Sequence, residues 1–288
     1  MDVSVLGFGG SEIGYEDVSA AAVGRLLNEA LDAGLNVVDT AECYLDSEAL
    51  IGRAVGHRRR DYHLFTKCGH PRGWGQGDWR PASILASLER SLERLRTDHV
   101  DLIQFHSCTE AVLRKGDAID ALRTARARGL ARWIGYSGDG AAARYAVECG
   151  AFDTLQTSIS IADQEALGLT LPLARAGGLG VIAKRPIANA AWRSGKKPSD
   201  TYAHVYWKRL GALDYDFIRR DRQSAVGVAL RFTLGIPGVH TAIVGTARPG
   251  RWVENARLLA AGPLPPAEHE AIRARWRAVA DASWGGQV

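Results

Sequence analysis

Gly34-Leu35-Asn36-Val37-Val38-Asp39-Thr40-Ala41-Glu42-Cys43-Tyr44 is the stretch on which the reading of this chain turns. Leu35 to Val38 is a short, mostly apolar run with two β-branched valines. That composition fits a strand buried on both faces. Asp39 follows where the strand is expected to end, and Tyr44 stands five positions further on. Asp46 and Ser47 then carry the signature of a helix start. A carboxylate at the tip of a buried strand and a phenol on the loop beyond it can face one cavity.

The same unit recurs on both sides of this stretch. Strands are expected at Val3–Phe8, Leu35–Val38, His63–Lys67, Val100–Phe105, Ala131–Tyr136, Thr154–Thr157, Leu179–Ala183 and Thr241–Val244. Helical spacing of apolar residues places helices between them, at Val18–Ala33, Glu48–Val55, Pro81–Leu95, Ala118–Arg128, Ala141–Cys149 and Glu165–Ala176. Others follow near Tyr202–Leu210, Arg222–Leu234, Arg251–Ala260 and Pro266–Ala280. Gly34 and Gly129 are helix stops, and Pro81 opens a helix. Eight strands alternating with helices predict an α/β fold: a (β/α)8 TIM barrel, a single domain over residues 1–288. A long loop insertion is expected at about residues 186–217. An open doubly wound sheet is the rival architecture. Its glycine fingerprint fails here, because Gly7-Phe8-Gly9-Gly10 is followed by Glu12 where GxGxxG needs glycine. Gly9 and Gly10 still suit a strand end that a ligand approaches closely.

The chain has 288 residues, 46% of them hydrophobic. This is ample for one barrel, which typically takes roughly 250 residues. The net charge of +4 is modest, and Arg58-Arg59-Arg60 is the one tight basic cluster. Without a basic stripe interleaved with aromatics, no nucleic-acid partner is expected. Asp2 near the start and the lack of a long apolar run argue against a signal peptide or membrane span. The four cysteines, Cys43, Cys68, Cys108 and Cys149, show no metal or disulfide spacing, as expected of free thiols in a cytoplasmic protein.

The polar residues at the strand tips are more telling. Asp39, Lys67 and His106 end the second, third and fourth strands, and Tyr44 follows the second. Singly, each has an ordinary explanation: a loop cap, a snorkelling stem, a structural histidine, a packed ring. On adjacent strands of one barrel, all would converge on the catalytic face. A tyrosine has a pKa of about 10, and a neighbouring ammonium is expected to lower it. Asp39 can pair with Lys67 and hold it; His106 can orient a carbonyl or share the proton. Such a set suits proton delivery to a carbonyl oxygen as hydride reaches the carbon, with no metal required.

At these residues the chain resembles the aldo-keto reductase superfamily. The resemblance spans nearly the whole chain: Asp39-Thr40-Ala41-Glu42-Cys43-Tyr44, Ser47-Glu48, Ile51-Gly52, Thr66-Lys67, Asp101-Leu102-Ile103-Gln104-Phe105-His106, Trp133-Ile134-Gly135-Tyr136-Ser137, Gln156, Pro186, and Val244-Gly245-Thr246 through Glu254-Asn255. It implies a barrel binding NADP(H) in an extended pose. It also implies Tyr44 as general acid with Lys67, Asp39 and His106 around it, and Ser137 and Gln156 on the nicotinamide carboxamide. Thr246, Arg248 and Arg251 would hold the 2′-phosphate, with Glu254 and Asn255 on the adenine. A phosphate site after the last strands agrees with barrel anatomy, and arginine favours NADP over NAD.

Three departures accompany the resemblance. Gly138 follows Ser137 where the family often has asparagine. Lys184, followed by Arg185, stands where an aromatic ring often stacks on the nicotinamide, adding positive charge near the cofactor. No N-terminal hairpin of the kind that often plugs the barrel is expected, since Met1 lies almost against the first strand. The leading expectation is an NADP(H)-dependent reductase of an aldehyde or ketone, acting on a small-molecule carbonyl substrate as a monomer or small homo-oligomer. The Gly69–Trp79 loop and the 186–217 insertion would shape the pocket. Two alternatives are an NADP(H)-binding regulatory or redox-sensing protein with little turnover, and a Schiff-base lyase using Lys67.

Overall fold

The computed structural model describes residues 1–287. Eight parallel strands close a barrel in chain order: β1 (Leu6–Gly9), β2 (Val37–Asp39), β3 (His63–Cys68), β4 (Val100–His106), β5 (Ala131–Ser137), β6 (Thr154–Ser158), β7 (Gly180–Lys184) and β8 (Thr241–Gly245). Closure runs through β1 and β8, in register from Leu6 opposite Ala242 to Gly9 opposite Gly245.

Each strand extends one residue past the apolar run that announces it. Asp39, His106, Ser137 and Lys184 are last residues of strands, not first residues of loops, and each stands in ladder register with a neighbour. At the other end β1 and β2 start later than expected. Side chains replace the ladder there: Ser4 N donates to Asn36 Oδ1 at 2.6 Å, and Asn36 N donates to Ser4 Oγ at 3.1 Å.

The helices follow their sequence signals with few exceptions. Ser19 caps the helix Ala20–Asp32 by accepting from Ala22 N at 3.2 Å. Pro81 opens the helix Pro81–Leu95, which buries Ile84, Leu88, Leu92 and Leu95. The helix expected at Glu165–Ala176 is two, Ala166–Leu169 and Leu171–Ala176, because Pro172 has no amide hydrogen to continue the first. The helix expected from Arg222 starts at Ala225. The Asp221 carboxylate first accepts from Gln223 N and Ser224 N, holding a turn. Short helices at Ser11–Tyr15, Glu110–Lys115 and Asp216–Arg220 were not expected. The 186–217 segment holds 3-10 turns at Ala188–Ala190 and Thr201–Ala203 and the helix His204–Leu213, which buries Tyr206, Leu210 and Leu213. Among the described residues, no helix is long and apolar enough to cross a membrane.

Alternation along the strands divides the core in two. Val38, Leu64, Ile103, Ile134, Leu155 and Val181 face outward under the helices. Val37, Phe65, Leu102 and Ile182 form a separate apolar layer inside the barrel. Side chains in a strand repeat every second residue. Two positions further along each strand, the same interior line therefore carries Asp39, Lys67, Gln104 and Lys184.

Candidate functional site

Above the apolar layer lies a buried polar tier. The Lys67 ammonium donates to Asp39 Oδ1 and, at 2.8 Å, to the Thr40 carbonyl. The other Asp39 oxygen accepts from Gln156 Nε2 at 2.8 Å and Gln104 Nε2 at 3.3 Å. Ser137 Oγ donates to Gln156 Oε1 at 2.9 Å. Asp39 and Lys67 are each 1% exposed. A charge this deep persists only when paired and hydrogen-bonded, and both conditions are met. The expected pairing of Asp39 with Lys67 is thus present, and Ser137 and Gln156 join it.

Tyr44 and His106 sit on the rim above this tier. Tyr44 Oη and His106 Nε2 are 3.5 Å apart, and the Lys67 ammonium stands 5.2 Å from the centre of the phenol ring. The loop carrying Tyr44 is tied to β1: Thr40 Oγ1 and Ser47 Oγ lie 2.8 Å apart, and Ser47 Oγ donates to the Gly10 carbonyl at 2.7 Å. A Cβ at Gly10 would lie 2.7 Å from Ser47 Oγ, so a larger residue there displaces that hydroxyl. Glu42 joins this loop to the next by accepting from Gly69 N and His70 N.

One electrostatic expectation is overturned. Burial pushes the Tyr44 phenol well above its ordinary value, and Asp39 pushes in the same direction. The Lys67 charge expected to lower it is committed to Asp39. Tyr44 is therefore a protonated phenol at neutral pH. His106 is driven well below its ordinary value, first by burial and then by Lys67 and Lys184. It is a neutral imidazole. The sign of its stability contribution follows: an unfolded histidine takes up a proton below about pH 6.5, and the folded one does not. This contribution is complete above that pH and is lost as pH falls through it. Urea unfolding from about pH 7.5 down to about pH 5, roughly one unit above that value to one and a half below it, should show declining stability that is shallower in His106→Gln.

Besides Asp39, Ser137 and Gln156 in the buried tier, the cofactor residues expected from sequence fall in three groups. Gly9 and Gly10 stand at the end of β1, beside Gly245 of β8, against which the Glu12 carboxyl lies. Burial raises the Glu12 carboxyl above its ordinary value. Thr246, Arg248, Arg251, Glu254 and Asn255 cluster around the start of the helix Arg251–Leu258, whose N-cap Gly250 has φ of 78°. Thr246 Oγ1 accepts from Arg248 N at 3.1 Å, Arg251 pairs with Glu254 at 2.9 Å, and Asn255 is buried. The Arg193 guanidinium is lowered from its ordinary value, first by burial and then by the nearby charges of Arg251 and Arg248. Two arginines at a helix start, with a third whose charge they feel and one carboxylate among them, fit a phosphate monoester.

The third group is Lys184 and Arg185, and here the expected surplus of positive charge holds only for Arg185. Lys184 Nζ pairs with Asp139 Oδ2 at 2.8 Å, both largely buried. Asp139 also accepts from Thr157 Oγ1 and Ser158 N, each at 2.7 Å. The Arg185 guanidinium lies over the Tyr202 ring at 4.8 Å and donates to its hydroxyl. Gly138 is explained by packing, since a Cβ there would come within 2.7 Å of the Tyr136 ring.

Sequence reasoning missed Gln104, Asp139, Arg193 and Cys43. Alternation two residues before His106 marks Gln104 as interior, and Asp139 adjoins Ser137 and Gly138. Arg193 carries no such signal, being placed by the path of the 186–217 segment. Cys43 Sγ lies 3.3 Å from His106 Nδ1. The Gly69–Trp79 loop lies over the rim, with Trp74 4.7 Å from the His106 ring and 4.8 Å from His70.

A parallel (β/α)8 barrel with a phenol and an imidazole on its C-terminal rim, over a buried ammonium–carboxylate pair, defines a class of barrel oxidoreductases. Residues 5–277 match the Aldo/keto reductase family, and the chain belongs to that family. It is 29% identical to the uncharacterized oxidoreductase YqkF of Bacillus subtilis over 95% of this chain and 92% of that protein. Among solved structures, the holo form of aldo-keto reductase AKR11C1 from Bacillus halodurans is 26% identical, with a TM-score of 0.79 over 95% of this chain and 92% of that one. An aldo-keto reductase from Klebsiella pneumoniae in complex with NADPH shares the fold at 23% identity and a TM-score of 0.74, over 96% of this chain and 91% of that one.

Proposed function

We propose that this oxidoreductase reduces an aldehyde or ketone with NADPH, Tyr44 acting as proton donor. The supporting observation is the pairing of a protonated phenol with a neutral imidazole at 3.5 Å, above a buried Lys67–Asp39 pair. Two donors at that spacing can bind one carbonyl oxygen and stabilise the negative charge that develops on it. NADPH supplies the hydride when bound. Ser137, Gln156 and Asp39 suit its carboxamide, and Arg193, Arg248 and Arg251 suit its 2′-phosphate. The Klebsiella neighbour, whose structure contains NADPH, agrees with that choice. Lys67 holds the tier in register and sets the field under the phenol. Trp74 and His70 form the wall beside His106, which suits a substrate with an apolar or cyclic body.

The regulatory alternative loses its motives, since Asp139 neutralises Lys184 and Tyr136 accounts for Gly138. The Schiff-base alternative needs a free amine, and Lys67 is buried in an ion pair. The test is NADPH oxidation against a panel of aldehydes and ketones, with cofactor affinities read by fluorescence. Arg248→Ala with Arg251→Ala is expected to weaken NADPH about ten- to a hundredfold while leaving NADH nearly unchanged. Equal loss for both cofactors would remove these arginines from the 2′-phosphate.

A further inference from the structure

Two consecutive residues bracket one ring. Cys43 Sγ lies 3.3 Å from His106 Nδ1, and Tyr44 Oη lies 3.5 Å from His106 Nε2. We infer that Cys43 is a positioning residue: its thiol donates to Nδ1 and thereby fixes the ring hydrogen of His106 on Nε2, facing Tyr44 and the substrate oxygen. This rests on the catalytic reading of Tyr44 and His106 given above.

The chemistry of the two atoms selects the direction. A thiol is a weak donor and a weak acceptor, and of the two directions the one from S–H places the hydrogen on a nitrogen lone pair, the better acceptor of the two atoms. Burial pushes the Cys43 thiol up to about 12, so the hydrogen is present at neutral pH. Cys43 is also held in place, being 4% exposed with its carbonyl accepting from Tyr15 Oη at 3.0 Å. The His106 backbone is fixed in turn by His70 Nε2, which donates to its carbonyl at 2.8 Å.

The opposite tautomer would impair the site. With the hydrogen on Nδ1, the lone pair of Nε2 would face the phenol and accept its O–H. The proton needed by the substrate would then point at the imidazole. With the hydrogen on Nε2, the imidazole donates outward and the phenol O–H is free for the carbonyl oxygen. Hydrogen bonds at the far nitrogen of a histidine commonly set which nitrogen carries the proton.

The test combines a spectrum with kinetics on the full chain. In 15N-labelled protein, with His106 signals assigned by difference from His106→Gln, the ring hydrogen is expected on Nε2. Cys43→Val, which fills the space without donating, should give a mixed or Nδ1-protonated ring. Its kcat should fall about five- to tenfold, with the NADPH Kd and substrate KM within about twofold. Cys43→Ser retains a donor and should recover most of that loss. A wild-type ring protonated on Nδ1, or a Cys43→Val protein with unchanged tautomer and kcat, overturns the inference. If Cys43→Val does not fold, the wild-type spectrum and Cys43→Ser decide it. If no carbonyl is turned over at all, the functional reading fails, while the spectrum still decides the tautomer.

Discussion

Tyr44→Phe is expected to lower kcat for carbonyl reduction about a hundred- to ten-thousandfold, the range of a positioned general acid. The phenylalanine ring keeps the packing of the original. Tyr44 meets Tyr15 edge-on at 6.1 Å and His106 at 5.5 Å, and the Lys67 ammonium faces its ring. Stability and NADPH affinity should therefore stay close to wild type, and the loss should appear in kcat. Burial and Asp39 hold the phenol protonated well above neutral pH, so the wild-type reduction rate should not decline between pH 6 and pH 9, roughly the span below an ordinary tyrosine pKa. Comparable kcat in the two proteins on every substrate would remove Tyr44 from the proton-transfer step.

Lys67→Met should damage both stability and rate. It leaves the Asp39 carboxylate 1% exposed, with amide donors from Gln104 and Gln156 and no cation. Breaking a buried pair on one side typically costs about 3–5 kcal/mol. Urea unfolding of Lys67→Met, Asp39→Asn and the double variant forms the relevant cycle. The double variant should be more stable than Lys67→Met, since it no longer buries an unpaired charge. Its kcat should stay low, because the tier beneath Tyr44 has lost its charge pattern. Additive stability losses would show that the pair is not coupled as the geometry requires.

Much of the candidate site was legible because strand geometry is local. Asp39, Lys67, His106, Ser137, Gln156 and Lys184 each end or nearly end a strand, and one alternation rule points them all inward. The same rule points Gln104 inward too, two residues before His106 on one strand, although it lies within a run that reads as buried on both faces. Arg193 was out of reach because the irregular 186–217 segment has no periodicity to constrain its path.

The order of strands and helices, and with it the convergence of these polar residues on one rim, was contained in the chain's own pattern of apolar and polar positions. That pattern is a property of neighbouring residues, so it survives without knowledge of the fold. The charge states were decided by the folded molecule. Lys67 is spent on Asp39 and Lys184 on Asp139, while Tyr44 keeps its proton and His106 takes up no second one. These outcomes depend on how far each group is removed from water and on which distant residue stands within about 3 Å of it, a hydrogen-bond length. Closure of the barrel sets both.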